Sequence, residues 1–141
     1  MLLVVEHWHA RFPASALAIQ AIRGEMGAVA RTCGLPDGRV KDVQLAVSEV
    51  ATNVVQHAYP EDAPGMIDVN AWTDSGQLRI SISDDGCGML PRPDSAGIGL
   101  GLPLIATLAE SLELGTGANE ETEVRMSFRL DAVTGDELRP R

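Results

Sequence analysis

The stretch Leu45-Ala-Val-Ser-Glu-Val-Ala-Thr-Asn-Val-Val-Gln-His-Ala-Tyr-Pro60 decides how the chain reads. As a helix it sets Glu49, Asn53 and His57 at successive i, i+4 positions. At about 100° per residue these three sweep a stripe roughly 80° wide. Val43, Val47, Val50 and Val54 form a second stripe with the spacing of a core face. One helix would then carry a buried side and, along its edge, a carboxylate, an amide and an imidazole. By itself the polar stripe reads better as the solvated face of an amphipathic helix. Pro60 ends the element, because proline cannot continue an α-helix.

Outward from this helix, the patterning predicts a strand over residues 2–9, a turn at Phe12-Pro13 and a helix over 14–33. Ile19, Ile22, Met26 and Val29 mark the buried stripe of that helix. A loop follows at 34–38, where Asp37 is placed to cap the next helix. Beyond Pro60, residues 66–72 and 77–83 alternate apolar and polar side chains around Asp74-Ser-Gly76, the pattern of a hairpin. A Gly-rich start at Gly99 leads into a predicted helix to about Ser111, then a short strand over 113–115 and a longer one over 122–130. Strand-helix-helix-strand-strand-helix-strand is the order expected of an α+β two-layer sandwich, with a mixed, mostly antiparallel sheet and helices on one face. Residues 1–130 read as one domain and 131–141 as a polar tail.

Composition narrows the function. The chain has 141 residues, 45% of them apolar, enough for a core of its own. Its formal net charge of −9 disfavours nucleic acid and suits a partner with a basic surface. No apolar run approaches the ~20 residues of a membrane span. Met1-Leu-Leu-Val-Val5 lacks the basic start of a signal peptide, so a cytoplasmic location is expected. Cys33 and Cys87 have neither zinc spacing nor a disulfide framework. Lys41 is the one lysine and no P-loop surrounds it.

Two further stretches carry chemistry. Asp84-Asp-Gly-Cys-Gly88 ends a predicted strand. An ionised Asp84 only accepts hydrogen bonds and would match the exocyclic amine of adenine, which donates. Gly86 and Gly88 would let backbone approach the ring. A plain Asp-Gly turn is the competing reading. Gly97-Ile-Gly-Leu-Gly-Leu-Pro-Leu104 opens a helix. Backbone N–H groups there suit phosphate, although a flexible hinge would look the same. The Asn53 amide oxygen is a hard ligand suited to Mg²⁺, and Glu49 lies one turn earlier, where a proton acceptor would be useful.

Together these motifs resemble the GHKL ATPases, the Bergerat or histidine-kinase-like ATPase fold. Glu49-x-x-x-Asn53 with His57-Ala58-Tyr59 looks like the N box, Asp84-x-Gly86-x-Gly88 like the first glycine box, and Gly99-Leu-Gly101-Leu-x-Leu-Ile105 like the second. Within that superfamily the phrase from Ala46 to Tyr59, and Arg11-Phe-Pro-Ala14, are similar to the small bacterial anti-sigma factors that are also serine/threonine protein kinases of partner-switching systems. The resemblance implies ATP and Mg²⁺ as cofactors, with Glu49 as catalytic base and Asn53 on the metal. It implies Asp84 on the adenine amine, Gly86, Gly88, Gly97, Gly99, Leu100 and Gly101 lining the nucleotide, and Thr122 as a further contact. The implied partners are a sigma factor, which is sequestered, and a STAS-type antagonist, which is phosphorylated. A homodimer is also implied, and Leu2 to Val5 offer a strand edge for isologous pairing. Two departures point to an alternative, a nucleotide-binding regulatory module that acts by conformation without phosphoryl transfer. Asn119-Glu-Glu-Thr122 lacks the glycine of the family's third glycine box, and Ser95-Ala96 stand where many members carry arginine.

Overall fold

A computed structural model describes residues 7–58, 65–84, 104–116 and 122–130. Strand β1 (Trp8–Pro13) leads into helices α1 (Ala16–Thr32) and α2 (Asp37–Asn53), and α2 passes directly into a π-helical turn (Val54–Ala58). The hairpin β2 (Met66–Asp74) and β3 (Gln77–Asp84) follows, then a helical segment at 104–108, and finally β4 (Ser111–Thr116) and β5 (Thr122–Arg129). The strands form one sheet in the order β1-β2-β3-β5-β4. Every described pairing is antiparallel, including those where the sequence left room for a mixed sheet.

The register explains why helices cover one face. Ala10, Val69, Ile82, Val124 and Leu114 lie in one cross-strand row, and Trp8, Ala71, Ile80, Met126 and Leu112 in the next. Alternate residues of each strand therefore present a continuous apolar surface. α1 and α2 contribute Ile22, Met26, Val43, Val47 and Val50 to the same core. Both predicted stripes are thus buried, except that Ile19 is only partly covered. Phe128 is fully buried and among the largest side chains of the core. Phe128→Ala is expected to cost roughly 3–5 kcal/mol of stability, read from chemical denaturation. A loss under about 1 kcal/mol would contradict the central place given to this ring.

The hairpin turn falls where expected. Ser75 and Gly76 both take positive φ, 55° and 74°, as a two-residue type I′ connection requires. Other expectations are corrected. The first described strand runs through Phe12 and Pro13 instead of turning there. β1 is an edge strand and Pro13 its last residue, so the missing N–H costs no ladder bond inside the sheet. α1 begins two residues later than predicted, at Ala16. Asp37 does not cap α2: Pro36 occupies the N-cap position, and Asp37 sits in the first turn, where its charge favours the helix dipole. The helix expected to reach Ser111 ends at 108, and Ser111 already begins β4. Residues 1–6, Tyr59 with Pro60, and the tail 131–141 lie outside the described residues.

α1 and α2 approach closely at Gly27. A Cβ there would collide with the end of the Gln44 side chain, whose Nε2 donates to the Arg23 carbonyl at 3.3 Å. Arg23 Nε in turn donates to Ser48 Oγ at 2.9 Å. This seam joins α1 to the helix that carries Glu49 and Asn53.

Candidate nucleotide site

Glu49 and Asn53 share α2, one turn apart, as the spacing predicts. Glu49 is partly exposed, whereas Asn53, the last α-helical residue, is 7% exposed. The winding changes immediately after Asn53. Ser48 and Thr52 each donate a side-chain hydrogen bond back to the carbonyl four residues earlier, at 2.6 and 2.7 Å. Such back-bonding bends helices, and a π turn follows at once. π turns inside helices cluster at functional sites. The wider turn changes the angular spacing between Asn53 and His57 from the α-helical value. Nothing in the residue types announced this, since Val54 and Val55 fit α-helical spacing equally well.

The other end of the site comes from the sheet. Asp84 is the last residue of β3 and faces inward, 1% exposed. Its partner across the ladder on β5 is Thr122, 4% exposed, and on β2 it is Ile67. Cross-strand partners hold their Cβ atoms about 4.5–5.5 Å apart. An acid and a hydroxyl thus occupy adjacent inward positions in the terminal row of a face that is otherwise apolar. Burying a carboxylate is costly unless something donates to it. α2 packs against β3, so the Glu49–Asn53 pair and the Asp84–Thr122 pair belong to one helix–sheet layer.

This donor set fits a nucleotide. A buried acceptor suits the adenine amine, and a buried amide oxygen suits an ion that keeps most of its shell for water and phosphate. Gly86, Gly88, Gly97, Gly99, Leu100 and Gly101 lie outside the described residues, as do Cys87 and Asn119. Cavities among the described residues lie away from this site. Two of about 360 and 450 Å³ flank Trp72 on the outer face of the sheet. Cys33 is buried among core residues, and burial pushes its thiol pKa up, so it packs and does not react.

Comparison with known proteins agrees with the fold. A family model described as a histidine kinase-like ATPase domain matches residues 12–128. The chain therefore belongs to the histidine kinase-like ATPase family. Within it, the chain is similar to proteins named serine-protein kinase RsbW from Bacillus thuringiensis (strain Al Hakam), Bacillus cereus (strain AH820) and Bacillus anthracis. Each is 31% identical over 119 residues, 74% of this chain and 74% of the relative. A crystal structure of the RsbU and RsbW domains of a Mycobacterium tuberculosis protein shares the fold, with a TM-score of 0.69 at 23% identity. That likeness covers 89% of this chain and 32% of the larger one.

Proposed function

We propose that this protein is an ATP-dependent protein serine/threonine kinase and anti-sigma factor. It phosphorylates a serine or threonine of a STAS-type antagonist and sequesters a sigma factor. The observation that carries the reading is the buried pair Asp84 and Thr122, opposite one another at the end of the sheet and in the same layer as Asn53. The similarity to serine-protein kinases RsbW supports it.

Bound ATP supplies the transferred phosphoryl group, and Mg²⁺ neutralises its charge. The chain's own residues do the rest. Asp84 accepts a hydrogen bond from the adenine amine, and Thr122 orders the same edge. Asn53 lends its amide oxygen to the ion. Glu49 takes the proton from the attacking hydroxyl of the partner. Gly86, Gly88, Gly97, Gly99, Leu100 and Gly101 line the nucleotide. Residues 1–130 act as one ATPase domain with 131–141 as a tail, and the protein works as a cytoplasmic homodimer. Among the described residues no helix is long and apolar enough to cross a membrane.

The test is transfer of label from γ-labelled ATP to a STAS-type partner. Many turnovers per protein molecule are expected, and the label should be lost when the acceptor serine or threonine is replaced by alanine. ATP binding without transfer would select the non-catalytic regulatory module, which the missing glycine before Thr122 favours.

A further inference from the structure

The face of the sheet opposite α1 and α2 carries two buried serines. Ser127, on β5, is 2% exposed and shares a hydrogen bond with Ser111, Oγ to Oγ at 2.6 Å. Ser81, in the middle of β3, is 3% exposed, and its hydroxyl has no hydrogen-bond partner among the described residues. Its cross-strand neighbours, Asn70 and Arg125, and its diagonal neighbours, Trp72 and Glu123, are all larger. A short side chain among longer ones leaves a hollow in a pleated surface. Ser81 lines that hollow, a cavity of about 450 Å³, together with His7, Asn70, Trp72 and Glu123.

The lining suits a cation. Trp72 offers an indole, and His7 meets it edge-on, with ring centres 6.4 Å apart and planes at 72°. His7 donates from Nε2 to Asn70 Oδ1 at 2.7 Å, which holds that wall. Glu123 and Glu113 share one guanidinium, Arg125, whose Nε stands 3.9 and 3.7 Å from them, too far for a hydrogen bond. Two acids to one base leave this patch with negative charge in excess. Elsewhere on the face Asp74 meets Arg79, and Asp68 meets Arg11 and His9. A carboxylate, an unused hydroxyl and an indole therefore converge on one hollow, in a chain of formal net charge −9.

We infer that this hollow is a docking point for an arginine side chain presented by a basic protein partner. The planar guanidinium lies against the indole, pairs with Glu123 and donates to the Ser81 hydroxyl. A rigid fork of donors reaches both acceptors at once, which the compact ammonium of lysine does not. The hollow opens on the face opposite the helices, so the inference does not rest on the nucleotide reading, and Glu49, Asn53 and Asp84 take no part in it.

The experiment follows the indole N–H signals of Trp8 and Trp72 by NMR while the full chain is titrated with Nα-acetyl-arginine amide, with thermal melting alongside. A saturable shift of the Trp72 signal is expected at about 1–10 mM, the scale of one cation–π contact and one ion pair, with Trp8 unmoved. Glu123→Gln should weaken binding about fivefold and Ser81→Ala about threefold, both conservative changes on an outward face. Glu25→Gln removes the same charge from an exposed position on α1 and should leave binding within about twofold. The citrulline analogue, neutral and of the same shape, should not saturate. Three results would each overturn the inference: no shift at Trp72, citrulline or lysine analogues binding as tightly as the arginine one, or Glu123→Gln and Glu25→Gln behaving alike. Tighter binding of free arginine than of the blocked form would assign the hollow to the amino acid itself and overturn the docking role. If a variant does not fold, the ranking of the arginine, citrulline and lysine ligands on the parent chain decides.

Discussion

Asp84→Asn is expected to lower ATP affinity by about 10- to 100-fold, the cost of losing a hydrogen bond to a charged group in a buried place. Asp84 is inward-facing and 1% exposed, at the end of β3 and opposite Thr122. Asparagine has nearly the same shape, so the ladder to β2 and β5 survives the change. What changes is the acceptor. A carboxylate offers two oxygens and a full charge to the adenine amine, and an amide offers one oxygen and a donor that repels it. Stability should move the other way or stay level, because a neutral amide is cheaper to bury than a charge. Titrations of parent and variant with ATP, with denaturation measured on the same samples, check both signs. Equal affinities would take the adenine away from Asp84.

For Glu49→Gln the larger effect is on rate. Phosphoryl transfer to the partner should fall about 10²- to 10⁴-fold, the usual worth of a positioned general base. ATP affinity should stay within about twofold, since Glu49 is assigned to the attacking hydroxyl and not to the nucleotide. Glutamine keeps the length and polarity of the side chain on a partly exposed helix face, so α2 is undisturbed. It cannot take up the proton. Single-turnover transfer with ATP prebound separates this from a binding defect. Transfer at the parental rate would show that the proton leaves by another route.

The two variants would divide the site along the line that the fold draws. One disables the sheet end, where the base is read, and the other the helix, where the proton goes. A variant of Phe128 acts through packing and should not reproduce either pattern.

Much of this could be read from residue types. Alternation about Asp74-Ser-Gly76 announced the hairpin, because positive φ at consecutive positions favours that turn chemistry. The valine stripe of α2 announced a buried face, and spacing alone put Glu49 and Asn53 one turn apart. Less was legible where local preference and sheet context compete. Pro13 reads as a turn residue, yet the end of an edge strand accepts it. The short strand over 113–115 is β4, but the helix reads as far as Ser111, and pairing with β5 puts Ser111 in the strand. The π turn after Asn53 carried no signature at all.

The chain order of chemical groups was therefore a property of the sequence: an acid and an amide on one helix, an acid at a strand end, glycines ahead of the next helix. Local rules suffice for that, since helical spacing and strand alternation act over a few residues. Only the tertiary structure decided that Thr122 stands opposite Asp84, and that Arg39 reaches Leu108. Both depend on register and packing between segments far apart in the chain. Those are set by which apolar faces must be buried together, and no short window of sequence contains that information.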